Sequence, residues 1–232
     1  MNTGNIIDSC KNCISGWKKF RLLSKSELQL VNEYRYEATF RAGEIMIKQG
    51  SPVSNLLFLS EGLAKIYIEG HNARNLILGI AKPGQIIMSA GALAKARNNF
   101  TVASLTQTQT CFINIEVFKK LISSNPAFAE AMIEEVSQQS SRTQDRLVTL
   151  AQKKMQSRLA EILIHMSDEV YLSDDFDMHL SRQELGEMTN MAKECTVRII
   201  REFEEQGLIS SRGSKIKILD KEKIRSISEI GG

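Results

Sequence analysis

No run of apolar residues in this 232-residue chain approaches the ~20 needed to cross a bilayer as a helix, so no membrane span is expected. Proline is nearly missing, with three in all, which permits long uninterrupted helices. Aromatic residues make up only 6%, so any core must be chiefly aliphatic. Four cysteines are too few to staple a chain of this length, and reduced cytoplasmic thiols are the expectation. The opening MNTGNIIDSCKNC lacks a basic start followed by an apolar segment, so no secretory signal is expected and the localisation read from the sequence is cytoplasmic. P-loop, dinucleotide fingerprint, paired His-Glu metal motif and serine elbow are all missing, and nothing asks for an enzyme. Charge of one sign is lacking too. The net is +3, and residues 153–232 carry 13 Lys/Arg against 15 Asp/Glu, so any contact with nucleic acid must rest on a local patch.

Glycine is present but unevenly placed. Seven of the 14 glycines (Gly43, Gly50, Gly62, Gly70, Gly79, Gly84 and Gly91) fall within 49 residues, and none occurs from Ala92 to Leu185. Between them lie β-prone runs at Ile45–Lys48, Leu56–Ser60, Ala64–Ile68 and Leu76–Ile80, followed by Thr101–Leu105 and Thr110–Ile115. Short strands punctuated by turn glycines predict an antiparallel sandwich or barrel. After Pro126 the spacing changes. Ala129, Met132, Val136, Thr143, Leu147 and Leu150 recur at three and four residues, predicting one long amphipathic helix over 128–151. A helix of about 36 Å outreaches a small sandwich, which favours pairing with its copy in a second subunit. Leu159, Ile162, Leu163 and Met166 mark another helix opening a C-terminal domain.

The richest segment runs from Leu180 to Lys217. Ser181 and Glu184 form a capping-box pair, Asn190 suits a left-handed turn, and a second helix over about 192–206 is stopped by Gly207. Ile199 and Phe203 turn inward on that helix, while Glu194 and Arg198 share the other face. Arginine donates two hydrogen bonds to guanine and glutamate accepts from cytosine N4, so this pair suits base reading. An ordinary intrahelical ion pair is the competing account. Ile209–Ser211 and Lys215–Ile218 flank the turn Arg212-Gly213-Ser214, a hairpin fit to touch phosphates.

SRQELGEM, AKECTVRIIREFEEQGLIS and SSRGSKIKI resemble the first motif helix, the recognition helix and the wing of the Crp/Fnr family of bacterial transcription regulators. The resemblance covers roughly Phe20 to Ile227. It implies an α+β fold class: a cyclic-nucleotide-binding-like double-stranded β-helix (jelly roll) over 1–126, a dimerisation helix over 127–152 and a winged helix-turn-helix over 153–232. It also implies a homodimer bound to a two-fold symmetric site in double-stranded DNA, contact with RNA polymerase, and allosteric control by a small effector. Ser181, Arg182 and Gln183 then fall at phosphate-contacting positions. Lys193, Glu194, Thr196, Val197 and Arg198 fall along the recognition helix, with Arg212 and Lys215 on the wing. Val197 stands where the family usually has a small or polar residue, which suits a thymine methyl.

Relatives that bind cyclic nucleotides need a glutamate for the ribose and an arginine with a serine for the phosphate. Here the matched positions are Ser89, Asn99 and Phe100, so cyclic AMP in the usual mode is not expected, and the effector is left open, with Met88, Ser89, Asn98 and Asn99 at the pocket rim. Cys10, Cys13 and Cys111 match three of the four positions that hold an iron–sulfur cluster in oxygen-sensing relatives, and Lys19 falls near the fourth. The cofactor is therefore unassigned. The same β-roll also serves as a signal-binding module acting on partner proteins, a reading that the recognition helix and wing oppose.

Overall fold

The computed structural model describes residues 17–70, 74–89 and 97–229. A 3-10 turn at Lys18–Leu22 leads into helix α1 (Lys25–Glu33), whose Ser24 and Glu27 close a capping box. Eight strands follow: β1 (Arg35–Phe40), β2 (Ile45–Ile47), β3 (Asn55–Glu61), β4 (Ala64–Glu69), β5 (Asn75–Ala81), β6 (Gln85–Ile87), β7 (Thr101–Ser104) and β8 (Thr108–Asn114). They form two four-stranded sheets, ordered β1-β8-β3-β6 and β2-β7-β4-β5. The predicted all-β half is therefore present, with β1 and β6 added to the expected runs.

Alternation along the strands sorts the side chains into two cores. Leu57, Leu59, Ile87, Val102 and Phe112 fill the space between the sheets. Leu56, Phe58, Cys111 and Ile113 point the other way and are covered by Trp17, Phe20, Val31 and a helix-rich layer. That layer is α2 (Ile115–Ser124), capped by the Asn114 side chain, and the start of α3 (Pro126–Gln152). Asn125 joins them: its side-chain carbonyl accepts from the Phe128 amide at 3.0 Å, and its amide donates to Leu22 O at 3.1 Å. The sequence predicts a single apolar stripe along α3 that serves one partner surface, and the structure divides it. Phe128 and Met132 are buried in the second core, whereas Ile133, Val136, Leu147 and Val148 are the exposed apolar residues.

The chain divides into two compact units, Met1–Glu69 with Leu78–Gln139 and Gly70–Ile77 with Ser140–Gly232, so one boundary falls within α3. The second unit continues with α4 (Met155–His165), one π-helical turn (Met166–Tyr171), β9 (Asp175–Asp177), α5 (Arg182–Thr189), α6 (Lys193–Glu205), the hairpin β10 (Ile209–Arg212) and β11 (Lys215–Ile218), and α7 (Lys221–Glu229). β11 lies between β10 and β9 in a three-stranded sheet. Leu159, Leu163, Leu185, Ile199, Phe203, Ile216 and Ile224 are among the buried core residues of this unit.

Candidate nucleic-acid interface

Two helices and a hairpin set the geometry. α5 begins at Ser181, whose Oγ accepts from the Glu184 amide at 3.2 Å while the Ser181 amide donates to Glu184 Oε2 at 2.7 Å. It ends at Asn190 in the left-handed conformation, φ 52°. Gly186 is needed there: a Cβ would lie 2.7 Å from Met191 O, too close for the turn into α6. α6 then runs to Gln206, and Gly207 at φ 68° releases the chain into β10.

The two faces of α6 differ completely. Thr196, Ile199, Ile200 and Phe203 are buried; Lys193, Glu194, Arg198 and Arg201 are exposed. A shallow groove along the exposed face is lined by Lys193, Glu194, Val197, Arg198, Arg201 and Glu202. Arg201 belongs to this surface and had no place in the sequence reading. Thr196 has to be moved off it. Its side chain is fully buried and donates to Ala192 O at 3.2 Å, so it holds the helix instead of facing a duplex. Arg198 pairs with Glu202 at 2.5 Å, one turn later, and not with Glu194 as the competing ion-pair account had it.

Arg182 also differs from expectation. Its guanidinium donates to Ser211 Oγ at 2.5 Å and to Gly213 O at 3.2 Å, bracing the hairpin against α5. Burial pulls its pKa below the usual arginine value, and Glu204 partly restores it. Ser181, Gln183, Arg212 and Lys215 are exposed. Lys215 pairs with Asp175 on β9 at 3.2 Å.

The C-terminal cations do not form one basic patch. Lys221 Nζ lies 2.6 Å from Asp168 and 2.5 Å from Asp174, and Arg225 lies 2.9 Å from Asp168. Asp168 and Asp174, more than 40 residues upstream in sequence, are folded against α7 and pair with these two side chains. Hydrogen bonds from Lys221, then Arg225, hold Asp168 below the ordinary carboxylate pKa; Asp174 is lowered first by Lys221 and then by Ser167.

A buried helix face, an outward face bearing cations and a glutamate, and an adjoining β-hairpin together make a winged helix-turn-helix. A model of the Crp-like helix-turn-helix domain matches residues 157–227, and a model of the cyclic nucleotide-binding domain matches residues 37–125. The chain belongs to the Crp/Fnr family of transcription regulators. The transcriptional activator protein Anr of Pseudomonas aeruginosa is 23% identical to this regulator over 184 residues, covering 78% of this chain and 75% of that protein. The cAMP-activated global transcriptional regulator CRP of Escherichia coli is 23% identical over 177 residues, covering 75% of this chain and 84% of that one. Among solved structures, FixK2 of Bradyrhizobium japonicum shares the fold with a TM-score of 0.77 at 15% identity, over 85% of this chain and 99% of that chain. A CRP/FNR-family transcriptional regulator of Thermus thermophilus does so with a TM-score of 0.66 at 20% identity, over 85% and 100%. This Crp/Fnr chain is a regulator, not an enzyme, with a DNA-binding helix-turn-helix and a domain of the cyclic-nucleotide-binding type.

Of the sequence-predicted pocket residues of this regulator, Ser89 and Asn99 are brought together by hydrogen bonds. Met88 is buried in the core on the outer side of its sheet, away from the space between the sheets. Asn98 braces a turn, donating through its side chain to Ser51 Oγ at 3.0 Å and through its amide to Ser51 O at 2.9 Å. Ser89 Oγ bonds the Asn99 side chain and accepts from the Asn99 amide at 3.0 Å. The space between the sheets is lined by aliphatic and aromatic groups.

Cys10 and Cys13 lie outside the described residues. Cys111 is buried under Trp17 and Phe20, its Sγ accepting from Arg35 Nη1 at 3.4 Å. Lys19, at the place of the missing N-terminal ligand, is committed to Glu135 at 2.7 Å and Ala131 O at 2.6 Å. Among the described residues no group of three or more His, Cys, Asp or Glu side chains is placed to hold a metal ion.

Proposed function

We propose that this regulator acts as a homodimer that reads a two-fold symmetric duplex site through α6, with Lys193, Glu194, Val197 and Arg198 facing base edges and backbone. The carrying observation is the split of α6 into a buried face and an outward one that presents Lys193, Arg198 and Arg201 among Glu194, Glu202 and Glu205. Arg198 donates in a fork that matches guanine O6 and N7, and Glu194 accepts from cytosine N4. Ser181, Gln183, Arg212 and Lys215 contact phosphates at the margin and set the register. Arg201 joins the backbone contacts.

The second copy is supported by α3. Ile133, Val136, Leu147 and Val148 are exposed and fall within an arc of about 120° on a helix about 40 Å long. A like helix set against this stripe would cover it. Two recognition helices then meet half-sites about one duplex turn apart.

An effector held by the β-roll biases the packing of the paired α3 helices between two arrangements, and only one matches the half-site spacing. The effector is not cyclic AMP in the usual mode, since the matched side chains Ser89 and Asn99 are uncharged and bonded to each other. RNA polymerase is the expected partner at the promoter, and the cytoplasm the expected compartment. The testing experiment is selection of duplexes from a randomised pool, followed by gel shift. A selected, palindromic sequence bound by wild type and lost on Arg198→Ala supports the reading. Recovery of no preferred sequence sinks it and favours a signal-binding module acting on a partner protein.

A further inference from the structure

The last carbonyls of a helix have no partner within it, and buried ones must find donors elsewhere. At the end of α5 these donors are two arginines distant in sequence. Arg146 Nη2, from the second half of α3, donates to Met188 O. Arg158 Nη1, from α4, donates to Thr189 O at 2.9 Å and reaches Asn190 O at 3.4 Å. Three consecutive carbonyls, immediately before the turn into α6, are thus held by guanidinium groups at the negative end of the helix dipole. Met188 and Thr189 are buried, so water is not an easy substitute.

The charge of Glu161 acts on Arg146. Glu161 accepts from Lys153 at 2.7 Å and from Thr149 Oγ1 at 3.2 Å. Burial pulls the Arg146 pKa below its usual value, the Glu161 charge offsets this, and Arg158 adds to the lowering. Arg158 Nε is buried with no hydrogen-bond partner, while its Nη1 makes the two carbonyl contacts. The Asn190 and Met191 amides both close on Gly186 O, the latter at 2.8 Å, so the clamped carbonyls and the turn form one rigid corner.

We propose that Arg146 and Arg158 are positioning residues for DNA reading: they grip the corner between α5 and α6 and transmit the orientation of α3 to the recognition helix without touching the duplex. This rests on the reading of α6 given above. All of these residues lie in the compact unit that holds Ser140–Gly232, so the connection runs through a single packed body. It assigns to the long helix a hold on the reading helix in addition to its exposed stripe.

The test compares Arg146→Gln and Arg146→Lys with wild type, using a duplex selected from a random pool by wild type and a scrambled duplex of the same length. A residue that only stabilised the fold would lower both affinities together as folded protein is lost. The clamp predicts that Arg146→Gln lowers affinity for the selected duplex by about tenfold, the scale of one charge-assisted hydrogen bond, with scrambled-duplex affinity and its salt dependence held. Arg146→Lys, which keeps a cationic donor, should recover most of the loss. Amide hydrogen exchange at Asn190 and Met191 is read in the same proteins without DNA, and should quicken in Arg146→Gln. An unchanged ratio of the two affinities in folded Arg146→Gln, or unchanged exchange at the corner, overturns the proposal. If Arg146→Gln fails to fold, Arg158→Gln, which removes the donor to Thr189 O, is judged by the same ratio and exchange, and wild-type values in both overturn the clamp. A wild type that prefers no duplex would instead defeat the reading of α6, while the exchange measurement still decides the clamp.

Discussion

Arg198 and Thr196 stand two residues apart on α6 and have opposite surroundings. Arg198 is exposed and tethered along the helix by Glu202, so its guanidinium is aimed before any duplex arrives. Truncation to alanine should cost the selected duplex about 1–3 kcal/mol, read by fluorescence anisotropy, and relax preference at one base pair. Thr196→Val removes a buried hydroxyl bonded to Ala192 O and should lower stability by about 1 kcal/mol in denaturant unfolding, leaving base preference as it was. A changed preference in Thr196→Val would return that residue to the reading face. The sequence held the signal for this placement. Thr196, Ile199, Ile200 and Phe203 follow the i, i+3, i+4, i+7 spacing of one buried stripe. Family matching set Thr196 among the outward residues, and periodicity overrules it.

At the scale of elements, legibility followed local chemistry. The capping box at Ser181, the left-handed Asn190 and the stop at Gly207 are each determined by neighbours within four residues, and all three are present. α1 carried an equally good signal in Ser24 and Glu27, and α2 in Asn114, yet neither helix was anticipated. β1 escaped because its Arg35, Glu37 and Thr39 weaken the apolar texture of a strand. Contacts between distant segments were not readable at all: Arg146 with Met188, Arg182 with Ser211, and Lys221 with Asp168 depend on the fold being complete. The same limit hid which side of α3 is free. Met132 packs inward, while Ile133 is 67% and Leu147 60% exposed. Ile133→Asp with Leu147→Asp should therefore yield monomers in sedimentation at micromolar concentration with folding intact. A persistent dimer would place the interface elsewhere.

For the whole molecule, acid is the informative stress. Asp168 and Asp174 have folded pKa values below their ordinary 3.8, so the unfolded chain binds protons more readily than the native one. Their contribution is complete above about pH 4 and is lost as pH falls through the lowered values. Circular dichroism should show the winged-helix unit weakening in that window, and Lys221→Met, which removes the cation facing both carboxylates, should flatten the dependence. A pH profile identical to wild type would mean that the ion pairs are ornamental.

The single tryptophan has a practical consequence. Trp17 is buried edge-on against Phe20 at 4.8 Å and Phe128 at 6.0 Å between ring centres, the latter at the first turn of α3. Its indole is thus an intrinsic emission probe in a dry setting, free of competing tryptophan signal. Any compound that displaces the first turn of α3 should alter its intensity or wavelength, so candidate effectors can be screened optically on unlabelled protein before an operator is known.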